Sequence, residues 1–146
     1  TLIGGNALGG HWDYTEWRYG EGQCLGDASM LISASGAFTI GLPVDAYYES
    51  DFTIESLTLT PSNANAASLL STLCPPFNFT ANQALDLSTE GCERLNIEPL
   101  SACPTMYRIM TLDGDSLRLG QAAAIGMLQC TNDRRPQMLG TSLMRR

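Results

Sequence analysis

The feature that most constrains this chain is a pair of strand-like runs joined by a turn dipeptide. Thr105 to Leu112 and Ser116 to Leu119 lie on either side of Asp113-Gly114-Asp115. Asp-Gly supplies the positive φ that a two-residue hairpin turn needs, so this stretch predicts an antiparallel hairpin. Other segments speak the same language. Trp12 to Tyr19 is rich in aromatics and reads as a strand. Its phase changes midway, with Trp12 and Tyr14 on one face and Trp17 and Tyr19 on the other. Such a change requires that both faces are buried or that a bulge resets the register.

Ala28 to Ser33 and Ala37 to Leu42 flank Ala34-Ser35-Gly36, which predicts a further hairpin. Tyr47 to Thr60 is a long Tyr/Thr/Ile/Leu run in which Phe52 and Ile54 share one face and Leu57 and Leu59 the other. One bulge in a long strand explains that shift. Thr60-Pro61-Ser62 ends it. Ser62 or Asn63 can then cap a helix whose pattern Ala66, Ala67, Leu69, Leu70, Leu73 runs to a stop at Cys74-Pro75-Pro76. Ala84 to Leu87 and Met138 to Met144 are further strand candidates, and Ala122 to Gln129 fits strand or helix. Gly4-Gly5-Asn6-Ala7-Leu8-Gly9-Gly10 predicts a flexible start over residues 1–11. The expected fold is mainly β: an antiparallel barrel or strongly curved sheet of about seven or eight strands with one short helix, in a single domain over residues 1–146.

Charge narrows the partners. The net charge is −7, all eight basic residues are Arg, and four of these lie at Arg134, Arg135, Arg145 and Arg146. An acidic chain repels duplex nucleic acid and anionic membrane, and the basic end reads as a solvated tail. No run approaches the length of a membrane span. Five Cys at 24, 74, 92, 103 and 130 contain no Cys-x-x-Cys, so no zinc site or redox motif is written here. Widely spaced Cys in a small acidic chain read as disulfides of an oxidising compartment. The sequon Asn78-Phe79-Thr80 beside Pro75-Pro76 fits a glycosylated surface loop, and the two signals together predict an extracellular, secreted protein.

Catalysis finds no constellation. The only His is His11, beside the Gly-rich start, and there is no nucleophile elbow. Asp113 and Asp115 are explained by their turn, and Glu49 and Asp51 alternate like the solvent face of a strand. A calcium loop and a phosphate cradle are both missing. The chain is therefore expected to be no enzyme and to need no cofactor or metal. Trp12, Tyr14, Trp17 and Tyr19 are the candidate lining of an apolar ligand site, weighed against plain core packing.

The order of motifs resembles a known family, the Wnt antagonists described as adenomatosis polyposis coli down-regulated proteins. Trp12-Asp13-Tyr14-Thr15-Glu16-Trp17-Arg18-Tyr19 before Cys24 resembles that family's aromatic strand. Leu57-Thr58-Leu59-Thr60-Pro61 with Ala66-Ala67-Ser68-Leu69-Leu70 resembles its strand end and Ala/Leu helix. Cys74, Gly91-Cys92 and Leu95 resemble a Cys pair around a variable loop. Pro104-Thr105-Met106-Tyr107-Arg108-Ile109, Leu117, Leu119-Gly120 and Arg135-Pro136-Gln137-Met138-Leu139 with Leu143 resemble its later strands and closing segment. The resemblance implies a lipocalin-like barrel, a lipid-binding cavity and no enzymatic activity. The family's leading strands and last Cys have no counterpart here, which favours exposed strand edges and oligomerisation.

Two functional expectations follow. One is a binding module for a lipid or other apolar small molecule. The other is a structural subunit of an extracellular homo-oligomer or filament completed by strand exchange, so that self-association is expected. The family pair implies a Cys74–Cys92 disulfide around the sequon. Barrel closure would pair Cys24 with Cys130 and leave Cys103 over, with Cys103–Cys130 as the alternative.

Overall fold

A computed structural model of the chain describes residues 8–19, 28–113, 116–121 and 130–145. Among the described residues the fold is mainly β, with eight antiparallel strands in a sheet that is not closed and one α-helix. The strands are β1 (Leu8–Tyr19), β2 (Ala28–Val44), β3 (Tyr47–Thr53), β4 (Ser56–Pro61), β5 (Leu85–Asp86), β6 (Thr105–Asp113), β7 (Ser116–Gly120) and β8 (Leu139–Arg145). The helix α1 is Ala64–Leu73. The order is β5-β4-β2-β3-β6-β7-β8, with β1 on β2. The curved-sheet expectation holds, whereas the closed barrel is corrected: among the described residues no ladder joins the two ends of this order.

Strand β2 departs most from expectation. Ala34-Ser35-Gly36 makes no turn, and the strand runs unbroken for 17 residues. Two facts explain this. Gly36 keeps an ordinary extended backbone, since Gly91 is the only described glycine with positive φ. The backbone at Ser33–Ser35 is also held in a ladder, with Ser33 opposite Thr58 and Ser35 opposite Ser56. The turn comes ten residues later at Asp45-Ala46, where Asp45 has φ 54° and Val44 faces Tyr47. Asp tolerates this left-handed conformation better than most residues. Pro43, which has no N–H for the ladder, lies where the β2–β3 register slips between Ile40 and Pro43.

The run Tyr47 to Thr60 behaves as read. β3 and β4 follow one another along the same strand, Phe38 facing Phe52 and Ser35 facing Ser56. Two residues of β2, Gly36 and Ala37, thus stand against three of the returning chain, Thr53, Ile54 and Glu55. That is a one-residue bulge, and it accounts for the change of apolar phase along the sequence between Phe52 and Leu57. The β6–β7 hairpin also forms, with Asp113 facing Ser116. Its turn residues, like Ala122 to Gln129, lie outside the described residues.

The chain clusters into two compact units. One comprises Thr1–Trp12, Ala37–Thr53 and Thr105–Arg146; the other comprises Asp13–Gly36 and Ile54–Pro104. In the second, β4 buries Leu57, Leu59 and Pro61 at alternate positions, and Ile32 of β2 faces Leu59. Asn63, not Ser62, caps α1: its side chain accepts a hydrogen bond from the Ala66 N–H at 2.9 Å. The helix buries Ala66, Ala67 and Leu70, while Leu69 points away at 56% exposure. Cys74 ends the helix and is bonded to Cys92, with the Cα atoms 5.0 Å apart. Gly91 beside it adopts φ 64°, and a Cβ there would press to 2.7 Å from the Pro99 nitrogen, so only glycine fits.

In the first unit, β1 begins at Leu8, which moves the strand start ahead of Trp12 and takes residues 8–11 out of the expected flexible segment. Gly9 and Gly10 serve close approach: a Cβ on Gly10 would sit 2.8 Å from Phe38 Cε1. The core of the second unit supplies a test by contrast. Leu70 is fully buried, so Leu70→Ala should cost about 3 kcal/mol in urea unfolding. Leu69→Ala should stay within about 0.5 kcal/mol of the parent. Equal effects from the two would show that α1 does not pack in this orientation.

Candidate functional site

Of the aromatic residues expected to line one site, Trp12 is drawn into a cluster with Phe38 and Phe52. Its indole N–H is shared between the carbonyl oxygens of Ala37 and Thr53, at 3.1 Å each. These carbonyls lie just past Phe38–Phe52, the last pair of the β2–β3 ladder, so the indole caps that ladder end. The Trp12 ring meets Phe52 edge-on at 5.8 Å, and Phe52 stacks with Phe38 at 5.7 Å.

Tyr14 and Trp17 are 48% and 55% exposed. The Tyr14 hydroxyl donates to Glu16 at 2.9 Å, and Arg18 Nε donates to the other Glu16 oxygen at 2.9 Å. This i, i+2 ladder requires regular strand alternation from Tyr14 to Arg18, which puts Trp17 on the opposite face. Neither burial of both faces nor a bulge is needed to explain the changed aromatic phase. Partial burial raises the Glu16 pKa, but the hydrogen bonds from Arg18 and Tyr14 and the Arg18 charge outweigh it and leave it below the ordinary value. The side chain of Tyr19 lies outside the described structure.

The sheet face that carries Phe38 and Phe52 continues across three strands. Directly opposed residues share a face. Phe38, Phe52 and Met106 therefore form one row, Ile40, Ser50 and Arg108 a second, and Tyr48, Met110 and Leu119 a third. Phe38, Phe52, Met106, Ile40, Tyr48 and Leu119 are half-buried, and Met110 is buried. At the centre, the Ser50 hydroxyl is buried without a hydrogen-bond partner among the described residues. Sequence reasoning singled out none of these. The signal was present as alternation, Phe38-x-Ile40 and Tyr48-x-Ser50-x-Phe52, but only the cross-strand register joins the runs into a surface.

The opposite face of the same strands is closed by Arg135. This residue belongs to the supposed solvated tail, and its side chain is only 10% exposed, so that expectation is corrected for it. Its Nη1 donates to the carbonyls of Ser50 at 3.1 Å and Arg108 at 2.6 Å, which face each other across β3 and β6. Nη2 bonds Asp51 at 2.6 Å, Nε bonds Asn132 at 2.9 Å, and Glu49 lies 3.8 Å away. The guanidinium also stands 5.2 Å over the Tyr107 ring. Pro136 follows, buried, at a point where a Cβ on Gly120 would meet it at 2.6 Å. Glu49 and Asp51 are thus the carboxylate partners of a strap and not a bare solvent face.

The cysteines resolve differently from the barrel-closing expectation. Cys74 and Cys92 form a disulfide. Cys103 and Cys130 are disulfide-bonded as well, so Cys103 is not left over. Four bonded cysteines are incompatible with a Cys24–Cys130 pair and compatible with the alternative, Cys103–Cys130. Cys24 itself lies outside the described residues. Asn78 is exposed on the loop closed by the Cys74–Cys92 bond. Phe79 next to it is buried, and its N–H donates to Ser71 Oγ at 2.9 Å. Among the described residues no group of His, Cys, Asp and Glu is placed to hold a metal ion, and no helix is long and apolar enough to cross a membrane.

No family model matches the chain, and no curated protein matches it.

The strap is open to direct test. Arg135→Ala removes several hydrogen bonds to nearly buried groups and a ring contact, and should cost about 3 kcal/mol in urea unfolding. Arg135→Lys should recover less than half of that, because an ammonium cannot reproduce the fork that spans two carbonyls and a carboxylate. Full recovery by Lys would show that charge alone matters.

Proposed function

We propose that this chain is a secreted, non-catalytic binding module for an apolar ligand, glycosylated at Asn78. The observation that carries the reading is the face of Phe38, Ile40, Phe52, Met106 and Met110 with Trp12 at its end. Apolar area of this kind is what a lipid tail or a flat hydrophobic molecule gains by covering, at roughly 25 cal/mol per Å². The buried Ser50 hydroxyl in its middle adds to the argument. An unsatisfied buried hydroxyl costs about 1–3 kcal/mol; this one has no partner among the described residues, and a ligand could reach it only after a side-chain movement uncovers it. The disulfides support an oxidising, extracellular setting, and the exposed sequon on a disulfide-closed loop supports glycan attachment. The resemblance to the Wnt-antagonist family supports the same reading.

The unclosed sheet favours self-association as a second property, because end strands with free backbone groups add strands from other chains.

Native mass spectrometry and titration with a fluorescent fatty-acyl probe test the ligand reading. The protein should bind the probe saturably, and Met106→Glu, which sets a charge opposite Phe52, should weaken binding by about tenfold, or 1.4 kcal/mol. A protein that carries nothing from its host and takes up no probe would rule the reading out. Glycosylation is tested separately. Secreted from a eukaryotic host, the chain should lose mass on treatment with an N-glycosidase, and Asn78→Gln should abolish the shift. An unmodified chain would remove this part of the proposal.

A further inference from the structure

The end strand β1 combines three properties that together specify a partner. It pairs only with β2 among the described residues, and β2 gives its other edge to β3 and β4. The outer edge of β1 therefore presents backbone groups suited to another strand. Natural edge strands are guarded by Lys, Pro or bulky charge. The chain has no Lys, and Leu8–Tyr19 contains no Pro. Asp13 is charged but precedes Thr15; over Thr15–Tyr19 the charges are Glu16 and Arg18, which offset each other at 2.9 Å with side chains 35% and 38% exposed. Trp17 between them projects from the other face and is more than half exposed. An exposed Trp on an edge that has neither Lys nor Pro is a cost in water that a second strand would remove.

The spacing of the charges selects which strand that is. When an antiparallel strand meets a copy of itself about a two-fold axis at Trp17, Glu16 faces Arg18 of the copy and Arg18 faces its Glu16. Trp17 then lies against its own counterpart, and Thr15 opposes Tyr19. Opposite charges directly across an antiparallel pair stabilise it, and like charges there destabilise it. The neighbouring two-fold registers are poorer: an axis at Glu16 sets two carboxylates face to face, and an axis at Arg18 sets two guanidinium groups face to face. The stretch is thus self-complementary in charge in one register, which is the condition for an isologous interface.

We propose that the Thr15–Tyr19 stretch of β1 pairs antiparallel with the same stretch of a second copy of this chain, about a two-fold at Trp17, with Glu16 and Arg18 exchanging partners between copies. The proposal rests on the self-association reading and is independent of the ligand reading. Sedimentation equilibrium on the full chain tests it over roughly 1–500 μM. The parent should pass from monomer to dimer within that range. Glu16→Arg and Arg18→Glu should each weaken the dimer by about tenfold, since each sets like charges opposite one another twice. The double variant Glu16→Arg/Arg18→Glu restores opposite charges and should return to within about threefold of the parent. Circular dichroism of each variant confirms that the fold persists. A parent that stays monomeric throughout overturns both the proposal and the self-association reading. A dimer indifferent to the single reversals, or one that the double reversal fails to restore, overturns the proposal and leaves association through another surface.

Discussion

The architecture depends on the hydrogen-bonding demand of one long strand. A backbone extended over Ala28–Val44 must find partners for its N–H and C=O groups along its whole length. β4 takes Met30–Ser35 and β3 takes Phe38–Val44 on one edge, while β1 takes the other. Because β3 and β4 share that edge in sequence, the single extra residue between them must be absorbed there. The bulge at Thr53-Ile54-Glu55 is therefore a consequence of pairing geometry and not a local accident. It sets the register in which β4 then pairs with Met30–Ser35.

Where the sequence was legible, local chemistry and tertiary need agreed. Asn63 caps a helix that its own pattern predicts, and Asp113-Gly114 separates two strands that do pair. The displaced apolar phase at Leu57 and Leu59 identified a bulge because alternation is strict in a strand. Where it was misleading, a longer-range partner overrode a local cue. Ala34-Ser35-Gly36 has turn composition, yet the ladder to Ser56–Thr58 holds it extended. Arg135 sits in a basic cluster that composition assigns to solvent, yet its donors satisfy strands some 27 and 85 residues away in the chain. No pattern within a short window records such a distance. The candidate site was half legible for the same reason. Trp12 was noticed as an aromatic, but Phe38, Phe52 and Met106 become its neighbours only through register.

The two faces of β3 and β6 divide the work. One face is sealed by a guanidinium that ties the carbonyls of Ser50 and Arg108 and packs on Tyr107. The other presents aromatic and thioether side chains and Arg108 around a Ser50 hydroxyl that has no hydrogen-bond partner among the described residues. The hydrogen bonds on the sealed side fix the strands whose other face carries the apolar rows. Met106 and Met110 add the opposite quality, since unbranched thioether side chains repack readily.

The helix carries a quieter consequence. Between Ala64 and Leu73 there is no ionisable side chain, and neither its first nor its last turn holds a charge. Helices commonly lean on acidic residues at the start and basic ones at the end to offset their dipole. This one relies on the neutral amide of Asn63 and on buried Ala and Leu. Its stability is thereby decoupled from proton and ion concentrations. Within this element no side chain can gain or lose a proton, and none carries a charge for salt to screen.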